Sequence, residues 1–151
     1  MSENFYGLHP QTYDEQFWWK KDDIEFWKNH FFNKNETILE LASGTGRIGI
    51  PLVKENHNYS GLDISKTYCD YANKKLKDFT SDILFYNYDM KSFRFNKKFD
   101  NIFIAFNSLL HLYTTTDLSL CLACIKNHMH EDSKFYIDIF VPSPLFLYRE
   151  K

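Results

Sequence analysis

The sequence predicts an α/β fold: a doubly wound, mostly parallel sheet of about five strands preceded by an N-terminal helix. Three observations predict it. Short apolar runs alternate strictly with segments of helical periodicity, the connections between them are short, and the stretch L-E-L-A-S-G-T-G-R-I-G joins the first apolar run to the first helix that follows it. Alternation with short connections argues for parallel strands and right-handed crossovers. Strand, glycine-rich turn and helix is also the setting in which a backbone can approach a ligand closely.

Each element has its own justification. From Asp14 to Phe31, Phe17, Ile24, Trp27 and Phe31 fall near helical spacing, with Asp22, Asp23, Glu25 and Lys28 on other faces, so one amphipathic helix is expected there. Asn33 to Glu36 is polar and turn-like, and Thr37 to Leu41 is a short strand ending at the glycine turn. A helix follows from Arg47 to about Glu55, with Pro51 near its first turn, where a missing N–H costs least. Tyr59 to Asp63 is the second strand, Lys66 to Phe79 a helix and Ile83 to Asn87 the third strand. Phe99 to Phe106 is an apolar run suited to a strand covered on both faces. Asp117 to about Met129 is a helix, and Lys134 to Val141 is the last strand.

Composition narrows the class. The chain has 151 residues, a formal net charge of -2 and 44% hydrophobic residues, which suits one domain with a sizeable core. No secretory or transit pattern opens it and no window approaches a membrane span, so a cytoplasmic protein is expected. Three cysteines without framework spacing suit a reducing compartment. Lysines are interspersed with acids, which leaves no electrostatic footprint for nucleic acid.

A doubly wound fold binds its ligand at the carboxyl ends of the strands, beside the switch in strand order. The residues expected there are Glu40 to Gly46, Asp63, Asp89 with Met90, and Phe106 to Ser108. Gly44, Gly46 and Gly49 spell G-x-G-x-x-G, which taken alone suggests a dinucleotide. Asp63, closing the second strand, can accept both hydroxyls of a ribose and suits any adenosine ligand. Glu40 discriminates: a fixed negative charge at the turn opposes a pyrophosphate and welcomes an ammonium or sulfonium. Asp89 adds a second acid to the rim, so the carboxylates favour a cationic nucleoside.

Read from Glu40, E-L-A-S-G-T-G-R resembles the first motif of the class I S-adenosylmethionine-dependent methyltransferases, with Ala42 in the first small-residue slot. G-L-D-I-S at 61 to 65, Y-D-M at 88 to 90, the run at 99 to 112 and K-F-Y-I-D-I-F at 134 to 140 match in order. The resemblance covers nearly the whole chain and points to the Rossmann-like, small-molecule and general branch whose first helix carries a Tyr-Asp pair, here Tyr13 and Asp14. It implies S-adenosylmethionine as cofactor and a small-molecule methyl acceptor. Ala42 to Gly46, Thr45 included, would wrap the methionine portion; Asp63 would bind the ribose, and Ile64 would lie against the adenine. Asp89 would reach the adenine amino group beside Met90. Phe106 and Asn107 would line the reactive side, with Tyr13 covering it. Gly49 then reads as a coincidence on the helix.

Other residues have simpler readings. His111, shortly after the fourth strand, is the candidate general base, although a histidine in such a segment more often serves backbone groups. Arg47 could pair with a carboxylate on the ligand, with a surface place on its helix as the simpler reading; Trp18 and Trp19 stand in a segment that could close over the ligand's positive charge, with packing as the simpler reading. Cys121, Cys124 and His128 sit at helical spacing within a core stripe and read as buried thiols, so no metal is expected. Lys74, Lys75 and Lys77 form a solvated face.

The family carries two further strands after the fifth, so the resemblance makes residues 1–151 a single, C-terminally truncated domain. An edge strand over 135–140 with large groups on both faces would then expect cover, including self-association. Three readings stay open: a methyltransferase completed by a partner or second copy, an inactive cofactor-binding domain, and a non-enzymatic interaction module. A dinucleotide oxidoreductase is a remote fourth.

Overall fold

In the computed structural model, which describes residues 8–141, the β-branched and leucine-rich run Thr37–Leu41 (β1) lies at the centre of a five-stranded sheet. Chain order is Pro10–Gln16 (α1), Asp22–His30 (α2), β1, Gly49–Lys54 (α3), Asn58–Asp63 (β2), Lys66–Lys75 (α4), Phe85–Asn87 (β3), Phe99–Ile104 (β4), Thr115–Asn127 (α5) and Met129–Ile137 (β5). A short 3-10 helix, Ser108–His111, follows β4. The strands lie in the order β3-β2-β1-β4-β5 and every pairing is parallel. The order reverses between β1 and β4, so the carboxyl ends of those two strands form the switch point of the doubly wound sheet.

Alternation along each strand sorts the core into two layers. Ile38, Tyr59, Phe85 and Phe103 face one side, where α2, α3 and α4 contribute Trp27, Leu52 and Ala72. Leu39, Leu41, Leu62, Ile102 and Ile104 face the other, against Cys121 and Ile125 of α5. Each such leucine or isoleucine, fully withdrawn from water, stabilises the fold by about 1.5 to 3 kcal/mol. Helix α5 starts at a Thr114 cap, whose hydroxyl accepts from the Asp117 N–H at 3.0 Å.

Three elements depart from the sequence expectation. The single helix over Asp14 to Phe31 is two helices, broken between Phe17 and Lys21. A straight rod could not lay Trp27 and Phe31 on the sheet and also bring Tyr13 and Phe17 to the strand ends, so tertiary packing overrides local propensity. The third strand shrinks to Phe85–Asn87. The Asn73 side chain on α4 occupies its backbone instead, accepting from the N–H groups of Leu84 and Phe85 and donating to the Phe85 carbonyl. The fifth strand begins at Met129 and ends at Ile137, because Asp138 turns toward the end of β4: its carboxylate accepts from the Phe106 N–H and its carbonyl from the Asn107 N–H. Phe135 packs into one layer and Tyr136 into the other. Among the described residues no strand pairs with the outer side of β5.

Candidate cofactor-binding site

The turn after β1 is built from left-handed backbone: Ala42, Gly44 and Gly46 have φ of +56°, +56° and +79°. A Cβ on Gly44 would meet nothing within 4 Å, so the turn is bare at that point and open to a ligand. At Gly46 a Cβ would come within 2.8 Å of Phe85, so the backbone there lies directly on the core. Gly49 is no coincidence. A Cβ there would fall 2.2 Å from the Tyr59 hydroxyl, and the same hydroxyl would lie 2.6 Å from a Cβ on Gly61. These two glycines form a slot for the Tyr59 ring.

Tyr59 uses the slot to reach Glu40. Its hydroxyl donates to the Glu40 carboxylate at 2.5 Å within the buried layer. Burial pushes the Glu40 carboxyl up from 4.5 to about 8, although Tyr59 and the field of Arg47 pull in the opposite direction. The charge expected to be fixed at Glu40 is therefore linked to a proton, because burial disfavours the ionised carboxylate. Burial and the Glu40 charge together hold Tyr59 well above the usual phenol range. The buried Ser43 hydroxyl lies beside Tyr59 without meeting hydrogen-bonding geometry.

Asp63 stands at the end of β2, as expected, and is buried. One carboxylate oxygen accepts from the Gly44 N–H and the other from the Ser65 N–H, each at 2.8 Å. Burial raises its pKa against those two bonds and the nearby field of His111. Each oxygen keeps a lone pair for a hydroxyl. The Asn87 amide donates to the Asp63 and Ile64 carbonyls, which fixes the end of β3 beside this corner. Ile64 is exposed there. Asp89 spends one oxygen on the Lys91 N–H at 2.8 Å and lies 3.8 Å from the Lys91 ammonium. Met90 packs into the α5 layer.

Helix α1 forms the roof. The Thr45 hydroxyl donates to Asp14 at 2.5 Å, and Lys75 of α4 pairs with the other Asp14 oxygen at 2.6 Å. Tyr13 packs between Phe17 and Tyr68 with its ring tilted to both, and burial pushes its phenol up to about 12. Phe17 meets Phe106 edge-on at 5.2 Å between ring centroids. Arg47, expected at the surface, pairs through both terminal nitrogens with Asp23 of α2, at 2.8 and 2.6 Å, and its guanidinium lies 4.9 Å over the Phe106 ring. Phe106 and Asn107 have φ of +54° and +62°. Two consecutive non-glycine residues in the left-handed region store strain at the switch point. The Asn107 side chain holds them there by accepting from the Phe140 N–H.

Six of the expected residues, Tyr13, Glu40, Ala42, Gly44, Thr45 and Phe106, line one cavity of about 30 Å³ together with Arg47. Gly46 lies behind the turn, and Asn107 braces the chain after β5. His111 is exposed on the 3-10 helix, near enough to bias Asp63 electrostatically. Trp18 and Trp19 are exposed at 70% and 61%, so packing does not account for them. Asp23, Asn87 and the half-buried pairing of Arg47 escaped the sequence reading because nothing local marks a residue whose partner is more than twenty positions away. Among the described residues no three His, Cys, Asp or Glu side chains are grouped to hold a metal ion. Cys124 donates to the Lys91 carbonyl, and His128 accepts from the Phe95 N–H while its other nitrogen meets the Cys124 carbonyl.

A bare glycine turn, two buried carboxylates and an aromatic roof at the switch point of a parallel sheet define the Rossmann-like class that binds S-adenosylmethionine. Residues 38–132 match the methyltransferase domain family, and the chain belongs to it. The chain is 31% identical over 93 residues to the dTDP-3-amino-3,4,6-trideoxy-alpha-D-glucopyranose N,N-dimethyltransferase of Streptomyces venezuelae, across 62% of this chain and 38% of that one. The fold matches Streptomyces venezuelae DesVI with a TM-score of 0.70 and 23% identity, covering 86% of this chain and 56% of that chain. It also matches the glycopeptide N-methyltransferase MtfA in complex with S-adenosyl-L-methionine, with a TM-score of 0.67 and 21% identity over 78% of this chain and 53% of that one. The chain thus spans between a third and three fifths of the length of these relatives.

Proposed function

We propose that this chain is a single S-adenosylmethionine-binding domain that transfers the sulfonium methyl to a small-molecule acceptor. The observation that carries the reading is the buried Glu40 carboxyl beside the bare Gly44 turn, with Asp63 as a second buried carboxylate across it. An uncompensated buried acid is costly, and a bound cation offsets that cost. S-adenosylmethionine supplies an already activated methyl group when bound. The protein then has to hold, align and exclude water. Glu40 becomes ionised against the ligand's ammonium, Asp63 accepts the ribose hydroxyls, Ile64 offers an apolar surface to the adenine, and Tyr13 with Phe106 closes the reactive side.

Relatives named as N-methyltransferases of an amino sugar and of glycopeptides support a nitrogen nucleophile. Such an acceptor must shed a proton as it is methylated, and His111, exposed on the 3-10 helix after β4, is the group proposed to receive it. The cavity of about 30 Å³ is far smaller than an adenosine, so the α1 roof and the Phe106 corner must open for entry. His111, the candidate base, is not among the residues that line the cavity, which favours a second reading, a binding domain without turnover. A cytoplasmic setting completes the proposal; no described helix is long and apolar enough to cross a membrane.

Calorimetric titration with S-adenosylmethionine, S-adenosylhomocysteine and NAD side by side tests the proposal. Saturable binding of the first two without NAD is expected. Tight NAD binding with no S-adenosylhomocysteine binding overturns it. Binding without turnover on amino-sugar acceptors selects the second reading.

A further inference from the structure

The break between α1 and α2 opens a groove that the donor cavity does not include. It measures about 430 Å³ and lies between the α1–α2 turn, α3 and α4. That volume is within the range of small-molecule sites and more than ten times the donor cavity. Its walls are apolar: Phe17 and Trp18 on one side, Ile24 beneath the turn, and Ile50 with Pro51 along α3. Trp18, 70% exposed, stands at its lip with no packing role to explain it.

The rim has one sign of charge. Lys20, Lys21, Lys54 and Lys75 surround the groove and Arg47 lies at its base, against a single acid, Asp14. Three of these cations are already paired: Lys75 with Asp14, Arg47 with Asp23 and Lys20 with Asp22. Among the described residues Lys21 and Lys54 have no carboxylate partner, and they come from opposite walls, one at the start of α2 and the other at the end of α3. In a chain of net charge -2 this is a local excess of positive charge around an apolar floor. Ammonium groups on flexible stems suit a phosphate or carboxylate as point charges, and an indole edge beside proline suits a flat ring.

We infer that this groove is a second binding site, for a small aromatic anion whose ring lies between Trp18 and Pro51 and whose phosphate or carboxylate sits between Lys21 and Lys54. Soluble ligands fit better than an anionic membrane, because Asp22 stands exposed beside Lys21 and would be pressed against the lipid headgroups. The inner wall is Gly46 with Arg47, the reverse side of the donor turn, and Asp14 of the same wall holds Thr45. A ligand in the groove therefore rests on the element that shapes the donor cavity, while occupying different space.

The test titrates the full chain with 1-naphthyl phosphate, 1-naphthol and inorganic phosphate by calorimetry, with amide chemical shifts followed by NMR. Saturable binding of 1-naphthyl phosphate, tighter than either half by about tenfold or more, with shifts at Trp18, Lys21 and Lys54, supports the site. A Lys21→Glu/Lys54→Glu variant should weaken that binding by about tenfold or more while leaving the S-adenosylhomocysteine titration unchanged. Trp18→Ala should weaken it without changing the melting temperature, since the side chain is exposed. No saturable binding, equal binding of 1-naphthol, an unaltered affinity in the charge-reversed variant, or binding only to anionic phosphatidylserine vesicles would each overturn the proposal.

Discussion

The hydroxyl of Tyr59 donates a 2.5 Å hydrogen bond to the carboxylate of Glu40, and it reaches that carboxylate only because Gly49 and Gly61 leave room for the ring. Strand β2, helix α3 and the donor turn are thereby tied to one buried acid.

The first prediction concerns the proton on that acid. Burial raises the folded-state pKa of Glu40 from 4.5 to about 8, so the folded chain binds more protons than the unfolded chain between those values. The stability supplied by the protonated carboxyl is fully present below about pH 4.5 and is lost as pH rises through 8. Glu40→Gln should therefore melt higher than the native chain at pH 9, by roughly a few kcal/mol in stability, with the gap closing toward pH 5. Binding of S-adenosylmethionine to the native chain should release protons near pH 7 and strengthen toward pH 8, and the variant should show neither effect. Melting curves and calorimetry in buffers of different ionisation enthalpy check both.

Asp63 has a structural duty and, in the proposed function, a ligand duty. Asp63→Ala removes the acceptor for the Gly44 and Ser65 N–H groups, which should cost about 1 to 3 kcal/mol of stability. It also removes one or two charged hydrogen bonds to the ligand, each worth about 1.5 to 3 kcal/mol. S-adenosylhomocysteine affinity should fall by at least about tenfold in a protein that still folds. An unchanged dissociation constant would remove Asp63 from the site.

Gly49→Ala sets two effects against each other. Alanine in place of glycine favours a helix by about 1 kcal/mol, but here the new methyl would lie 2.2 Å from the Tyr59 hydroxyl. Overpacking costs about 1 to 3 kcal/mol, so net destabilisation is expected in urea unfolding, together with a weaker Tyr59 to Glu40 contact. A variant as stable as the native chain would refute the slot.

The outer side of β5 is the remaining liability. Ile139 and Phe140 are exposed at 46% and 66% beside a strand without an outer partner among the described residues. Self-association through 135–140 is expected, visible as concentration-dependent sedimentation and reduced by Ile139→Lys/Phe140→Lys. A chain that stays monomeric at all concentrations, with no change in the variant, would show that the edge needs no cover.

Five strands, their parallel sense and a switch point were legible because buried runs and a glycine turn are local signals, although the third and fifth strands differ in extent. The placement of Glu40, Gly44 and Asp63 at strand ends was legible for the same reason. The helix break at Phe17 to Lys21, the pairing of Arg47 and the purpose of Gly49 were not. Each depends on a partner distant in sequence: Phe106 for Phe17, Asp23 for Arg47 and Tyr59 for Gly49. The resemblance also led away from Gly49, because the family motif accounts for the first two glycines and leaves the third without a role.

The left-handed corner at Phe106 and Asn107 fixes when the site can exist. Its backbone N–H groups are held by Asp138, and the Asn107 amide oxygen takes the N–H of Phe140. During synthesis, β1, β2 and β3 can be made and paired while those residues are still inside the ribosome, because they lie fifty positions further along. The corner itself stays unset until residue 140 has emerged. A nascent chain stalled before Asp138 would therefore carry the glycine turn, Glu40 and Asp63 without this corner.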